Sequence, residues 1–315
     1  MSDHILLCDL SLAPDIGLAL ATPGRRPDKV TRFTCTTREG FDTEISAFLT
    51  QAGRPNLVGA ALAARGWEQN GELHLFGLGF SIDRDDIRTL LGVQRVNFVN
   101  NFVARALAVP GLRRDEKVRV TGGEPGDDHA IAVLGPHHGL GLAALVSDGV
   151  GGWTALHGEG GHADLPAANE REWRLIEAIR ARTGYVSRES GISVTGLTDI
   201  WHALHVVAGE TATPLTSPQI IAAARAGDAR AIEAIEVMTG WLAAMASDIA
   251  LILGASGGVY LTGALLDMMG DVFDAEKFSA RYLAKGPLSN YVREIPVFRT
   301  LASEMEIRGL ATLYD

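Results

Sequence analysis

The chain reads as an α/β protein with two mixed sheets, and three observations carry that reading. Short apolar runs alternate with segments of helical periodicity along most of its 315 residues. A strand, tight connection and strand at residues 5–21, with Pro14 in the turn, return in outline at residues 131–146, where Pro136-His137-His138 forms the connection. The length suits two domains, and no long low-complexity linker interrupts it. Two similar hairpins opening two successive regions suggest a duplicated architecture with the ligand between the halves.

Taken in order, Ile5-Leu6-Leu7-Cys8-Asp9 and Gly17-Leu18-Ala19-Leu20-Ala21 are apolar enough for buried strands. Residues 41–52 carry apolar side chains at helical spacing, 57–64 read as a strand leading to Arg65-Gly66-Trp67, and Asp83–Leu91 reads as a short helix. Val96-Asn97-Phe98-Val99 is strand-like and ends at Asn100-Asn101, before a helix over Phe102–Leu107. Two amides thus stand at a strand's carboxyl end, where α/β sheets bind ligands. Helices are predicted over Glu170–Arg182, Ile220–Arg225 and Ala229–Leu253, then a late strand from Pro296 to Leu301 and a closing helix over Glu304–Leu313. Residues 249–266 run eighteen positions without a charge. Gly254, Ser256, Gly257, Gly258 and Gly263 punctuate them, so they read as a helix end, a turn, a buried strand and a turn opening a helix rather than a membrane span.

A net charge of −10 and the absence of a Lys/Arg cluster argue against a nucleic-acid partner. Cys8 and Cys35 lack metal-type spacing and read as reduced thiols, and the first residues lack a secretory pattern, so a cytoplasmic location is expected. His137-His138 suits a turn better than a metal site, because adjacent side chains diverge and no third ligand is evident.

The densest polar chemistry lies at Leu156-His157-Gly158-Glu159-Gly160-Gly161-His162-Ala163-Asp164-Leu165. Its glycines permit positive φ and close approach to a ligand, while Glu159 and His162 supply an acceptor and a switchable donor.

Together, Val99-Asn100-Asn101-Phe102, Gly122-Gly123-Glu124-Pro125, Gly139-Leu140-Gly141, Gly158-Glu159-Gly160-Gly161-His162, Val186-Ser187-Arg188-Glu189 and Gly257-Gly258-Val259-Tyr260 resemble the bacterial glucokinase family in order and spacing, nearly end to end. The resemblance implies the two-domain actin-like ATPase (ribonuclease H-like) fold. A small domain of residues 1–108 plus about 297–315 and a large domain of 109–296 would close a cleft over glucose and ATP with Mg²⁺. It implies that Asn100, Asn101, Glu159, His162 and Glu189 contact hexose hydroxyls, and that Asp9, Gly139, Gly257, Gly258 and Gly263 belong to the nucleotide side. A homodimer is expected from the same source.

The departures from the family pattern cluster around phosphate transfer. Asn101 stands where the family has the aspartate that takes the proton from the 6-hydroxyl, and an amide has no useful basicity at neutral pH. Ser11-Leu12-Ala13-Pro14 replaces the Gly-Gly-Thr-Asn turn after the first strand, bringing a bulky side chain and a residue without an amide proton. The second phosphate turn reads Gly135-Pro136-His137-His138-Gly139-Leu140-Gly141 and lacks its threonine, and His74-Leu75-Phe76-Gly77-Leu78 ahead of Phe80-Ser81 replaces a polar family stretch. The function expected is binding of glucose or a related hexose with impaired or absent phosphoryl transfer. The alternatives are an active ATP-dependent kinase of the 6-hydroxyl and a non-catalytic scaffold or regulatory protein.

Overall fold

The strands of the two larger sheets obey one wiring plan, which the computed structural model makes explicit for residues 3–27, 29–76, 78–127 and 129–314, the side chain of Trp67 excepted. Gly77 of the substituted stretch lies outside these described residues. The chain forms two compact units, one of Met1–Leu112 with Ala302–Asp315 and one of Arg113–Leu301.

In the first unit the elements are β1 (Asp3–Leu12), β2 (Asp15–Ala21), β3 (Thr31–Thr34), α1 (Arg38–Gln51), β4 (Asn56–Ala64), β5 (Gly66–Gln69), β6 (Glu72–Leu75), β7 (Ile82–Asp83), α2 (Arg84–Leu91), β8 (Val96–Asn100) and α3 (Asn101–Ala108). The main sheet runs β3-β2-β1-β4-β8, antiparallel through the β1–β2 and β2–β3 pairs and parallel through β1–β4 and β4–β8. Central β1 is buried from Ile5 to Ser11, which explains its unbroken apolar run. Its alternation sorts the core into two faces. Leu6, Cys8 and Leu10 pack with Phe41 and Ile45 of α1 and Ile87 of α2. Ile5 and Leu7 pack with Ala104 of α3 and Ile307, Leu310 and Ala311 of the C-terminal helix Met305–Ala311.

That second face is built of small residues, Ala19, Ala21, Ala61 and Ala63, so helices settle close to it. Gly309 takes the approach to its limit: a Cβ there would lie 1.7 Å from the Ala104 carbonyl oxygen. Local signals set the helix ends. Thr37 accepts from Gly40 N at the start of α1, and Asp83 accepts from Asp85 N and Asp86 N at the start of α2. The three-stranded sheet β5-β6-β7 was not foreseen, since the sequence reads as two sheets. Its strands span two to four residues, too short to show a period.

The second unit contains β9 (Lys117–Thr121), β10 (Ile131–Pro136), β11 (Leu140–Ser147), β12 (Trp153–Gly158), α4 (Glu170–Thr183), α5 (Arg188–Gly191), α6 (Val194–Val207), α7 (Ser217–Arg225), α8 (Ala229–Leu253), β13 (Gly258–Leu261), α9 (Ala264–Met269), α10 (Ala275–Tyr282), α11 (Ser289–Glu294) and β14 (Val297–Thr300). Its sheet runs β12-β11-β10-β13-β14-β9. With β10 counted as the first strand, β12 to β14 repeat the order and directions of the first unit's sheet, and β9 adds an antiparallel edge. The repeated hairpin in the sequence is therefore one element of a wider duplication. Helix α8 is the one described helix long and apolar enough to cross a membrane, yet Ala234, Met238, Trp241, Leu242, Met245 and Ala246 are buried in this unit's core. Residues 249–266 comprise the end of α8, a turn, β13 and the start of α9.

One expectation is corrected. The late strand does not return to the first unit: β14 pairs parallel with β13 and antiparallel with β9, and Leu301 N donates to Glu116 O at 2.8 Å. Only the segment from Ala302 onward belongs to the first unit. Strand pairing decides this, and a four-residue strand does not announce its partner.

The contact between Gly309 and Ala104 sets a measurable limit. Gly309→Ala should lower unfolding stability by about 2–4 kcal/mol in urea titration. Gly111→Ala, where a Cβ would meet nothing within 4 Å, should stay within about 0.5 kcal/mol of the parent.

Candidate functional site

In the first unit, register places the predicted residues at the carboxyl ends of parallel strands. Asp9 pairs with Ala63 and Ala63 with Val99, while Leu10 pairs with Ala64 and Ala64 with Asn100. Asp9 and the two asparagines therefore end up roughly 10 Å apart, two strand spacings, on the edge where open α/β sheets bind ligands. Asn100 closes β8 and caps α3, its Oδ1 accepting from Phe102 N at 2.8 Å. The capping role commits its carbonyl and leaves its NH₂ to donate. Asn101 is the first residue of α3, partly buried, and its side chain makes no hydrogen bond among the described residues. It offers a neutral amide at that spot, with no proton acceptor of useful basicity.

Asp9 is held in a cluster that the sequence reading missed. Its Oδ1 accepts from Ser11 N at 2.9 Å, and Arg32 approaches Oδ2 at 3.8 Å. Ser11 Oγ donates to Glu306 Oε1 at 3.2 Å, and Arg105 Nε donates to the same oxygen at 2.7 Å. Arg32 also donates to Glu304 Oε2 at 2.5 Å. Burial, then the nearby Glu306 carboxylate, push the Asp9 carboxyl up to about 6, against the Ser11 hydrogen bonds and the Arg32 charge. Glu306, in the first turn of the C-terminal helix, is 4% exposed, and no local sequence pattern announces that burial.

In the second unit three predicted residues converge on the start of β11. Glu189 sits on α5, and its Oε2 accepts from Leu140 N at 2.8 Å. Arg188 N donates to Ala163 O at 2.8 Å and Tyr185 Oη to His162 O at 2.6 Å, tying the Gly-Glu-Gly-Gly-His segment to the same place. Glu159 and His162 themselves are exposed, with Glu159 3.4 Å from the His157 ring. The segment is less loop-like than predicted, because Leu156 to Gly158 end the edge strand β12 and Gly160–His162 form a 3-10 turn. Nor do Gly158, Gly160 and Gly161 adopt positive φ among the described glycines. Close approach explains Gly160 and Gly161: a Cβ on Gly161 would meet Leu140 O at 2.2 Å, and one on Gly160 would meet Leu142 Cδ2 at 2.4 Å.

The residues assigned to the nucleotide side are not gathered. Gly257 and Gly258 lie at the amino end of β13, and Gly263 lies beyond its carboxyl end, roughly 13 Å or more away along four strand residues. All three face protein. A Cβ would meet His129 O at 2.6 Å from Gly257, Tyr260 Cε2 at 3.1 Å from Gly258, and Pro136 O at 2.5 Å from Gly263. Positive φ at Gly258 and Gly263 serves the turns around a buried strand. Gly139 is pressed by Glu189, whose Oε2 lies 2.5 Å from where its Cβ would be. Among the described residues no group of three or more His, Cys, Asp or Glu side chains is placed to hold a metal ion. Asp9, already bonded to Ser11 and flanked by Arg32, is a poor anchor for Mg²⁺, which demands several well-placed oxygens.

Raising an acid's pKa on folding gives it a definite pH signature. Asp9 favours the folded state fully below its ordinary value of 3.8, and that contribution is lost as pH rises through about 6. Asp9→Asn should therefore match the parent near pH 4 and gain on the order of 2–3 kcal/mol over it by pH 7. Paired urea titrations across that range measure the difference, and a gap that does not widen with pH would contradict the assignment.

Comparison with known proteins agrees with this fold and these motifs. The Glucokinase family model matches residues 15–315. A glucokinase-like protein of Caulobacter vibrioides is 34% identical over 300 residues, covering 95% of this chain and 93% of the relative. The crystal structure of a glucokinase from an Antarctic psychrotroph superposes with a TM-score of 0.90 at 26% identity, covering 100% of this chain and 99% of that one. A Balamuthia mandrillaris glucokinase solved in complex with glucose shares the fold, with a TM-score of 0.79 at 18% identity over 99% of this chain and 93% of that one. The architecture is that of the actin-like ATPases, and the chain belongs to the glucokinase family.

Proposed function

We propose that the chain binds glucose or a closely related hexose and that its phosphoryl transfer is impaired or absent. The observation that carries this reading is Asn101, the first residue of α3 at the carboxyl end of β8, in a chain that keeps the carboxylates and the imidazole suited to binding hydroxyls. A hexose is a ring of hydroxyls, each needing a partner once buried, and carboxylates accept strong charge-assisted bonds from them. Glu159 and Glu189 provide two such acceptors near the start of β11, with His162 able to donate or accept. Asn100 retains donors after capping α3.

A positioned general base contributes about 10²- to 10⁴-fold to proton-transfer steps, roughly 3–5 kcal/mol of barrier. Asn101 cannot supply it. Buried, unpaired Cys8 and Cys35 suit a cytoplasmic protein, and burial pushes the Cys8 thiol well above its ordinary range, so it stays protonated and unreactive.

A second reading is an active ATP-dependent kinase of the hexose 6-hydroxyl, favoured by the glucokinase relatives. Phosphoryl transfer passes through a loose transition state and leans mainly on positioning and electrostatics.

Calorimetry with glucose separates these readings when combined with an ADP-release assay. Glucose should give a saturable heat. Glu159→Gln or Glu189→Gln should weaken it about 10- to 100-fold, the value of a hydrogen bond to a charged acceptor. ADP release should be no faster than in Asn101→Ala. Turnover well above that variant supports the active kinase, and no heat at millimolar sugar rules out hexose binding.

A further inference from the structure

In the first hairpin of each duplicated sheet, a turn amide is already committed to one of the chain's own carboxylates. In the first unit the turn between β1 and β2 has Ser11 N donating to Asp9 Oδ1 at 2.9 Å and Ala13 N donating to Leu10 O at 3.2 Å. Pro14 has no amide proton, Leu12 pairs with Asp15 in the ladder, and the Leu12 side chain is 43% exposed over the turn. In the second unit the turn between β10 and β11 has His137 N donating to Gly139 O at 2.7 Å and Leu140 N donating to Glu189 Oε2 at 2.8 Å. Pro136 again lacks a donor, and the Glu189 carboxylate lies against Gly139.

Backbone cradles for phosphate work because several free N–H groups aim at one anion. Here one donor of each hairpin is taken by the chain's own carboxylate, and that carboxylate places negative charge where a phosphate would approach. We infer that the two hairpins are closed to nucleoside triphosphate, with Asp9 and Glu189 each taking from within one backbone donor that a phosphate would need. The inference deepens the reading of the chain as a hexose-binding member of its family, and it rests on that reading for what the hairpins would otherwise hold.

The two hairpins contribute differently. Glu189 belongs to the hexose set, and one of its oxygens stays available while the other holds Leu140, so sugar binding and closure of the second hairpin are compatible. Asp9 sits beside Glu306 and Glu304 as well as Arg32 and Arg105. Those guanidinium groups are engaged by carboxylates, so the first hairpin offers no spare cation to draw in a triphosphate.

The test titrates Mg·ATP into the full chain by calorimetry and by displacement of a fluorescent trinitrophenyl-ATP, with glucose titrated into the same preparation. No saturable ATP binding up to millimolar concentration is expected. Saturable binding anywhere in that range would overturn the inference. The variant Asp9→Ala, Ser11→Gly, Leu12→Gly, Ala13→Thr, Pro14→Asn, checked for folding by its thermal transition, should gain nucleotide binding at least tenfold over the parent. A folded variant with no gain overturns the role given to the first hairpin. Glucose heat without ATP heat upholds both readings. ATP heat overturns this one while leaving the hexose reading intact, and loss of glucose heat refutes the hexose reading while the nucleotide titration still judges the hairpins.

Discussion

Each unit is organised by a central strand that has neither a face nor an edge toward water. Strands β1 and β10 are flanked by an antiparallel partner on one side and a parallel partner on the other, and both of their faces are covered. Polar side chains are therefore excluded from nearly all of their length and pushed to the strand ends. Asp9 and the hairpin at Gly139 stand toward such ends, and Asn100 closes β8 on the same side of the first sheet. The small residues lining one face of the first sheet follow from the same demand, since α3 and the C-terminal helix can cover that face only by coming close to it.

Once polar groups are confined to strand ends, their partners decide what those ends can do. A carboxylate that bonds a loop amide stabilises the loop and removes a donor from any ligand. At Asp9 burial and the nearby Glu306 carboxylate raise the cost of ionisation, while the Ser11 hydrogen bonds and the Arg32 charge partly offset it. At Glu189 the same kind of contact joins α5 to the start of β11 and keeps the segment around Glu159 and His162 in place.

Much of the architecture was legible in the sequence because it depends on long or strongly patterned segments. The apolar runs of β1, β4 and β10, the 25-residue helix α8 and the capped helices α2 and α4 announce themselves through period and caps. The duplicated hairpins were visible as repeated outlines. The three short strands β5 to β7, the edge strand β12 and the four-residue helix α5 were not, because such segments contain too few apolar positions to define a period. Their conformations are imposed by partners.

The sequence by itself determined the α/β class, the hairpin repeat, the family motifs and the replacement of an acid by Asn101, since each is a matter of residue identity at fixed spacing. Only the tertiary structure decided that β14 pairs with β13 and β9, that Glu306 sits beside Asp9, and that Gly161 and Gly263 are small because backbone lies against them. It also showed that Glu189 reaches the Leu140 amide, 49 residues away along the chain. The physical reason is common to all four: hydrogen-bond partners, electrostatic neighbours and van der Waals contacts between distant segments depend on how strands register and helices dock, and no local pattern encodes that distance.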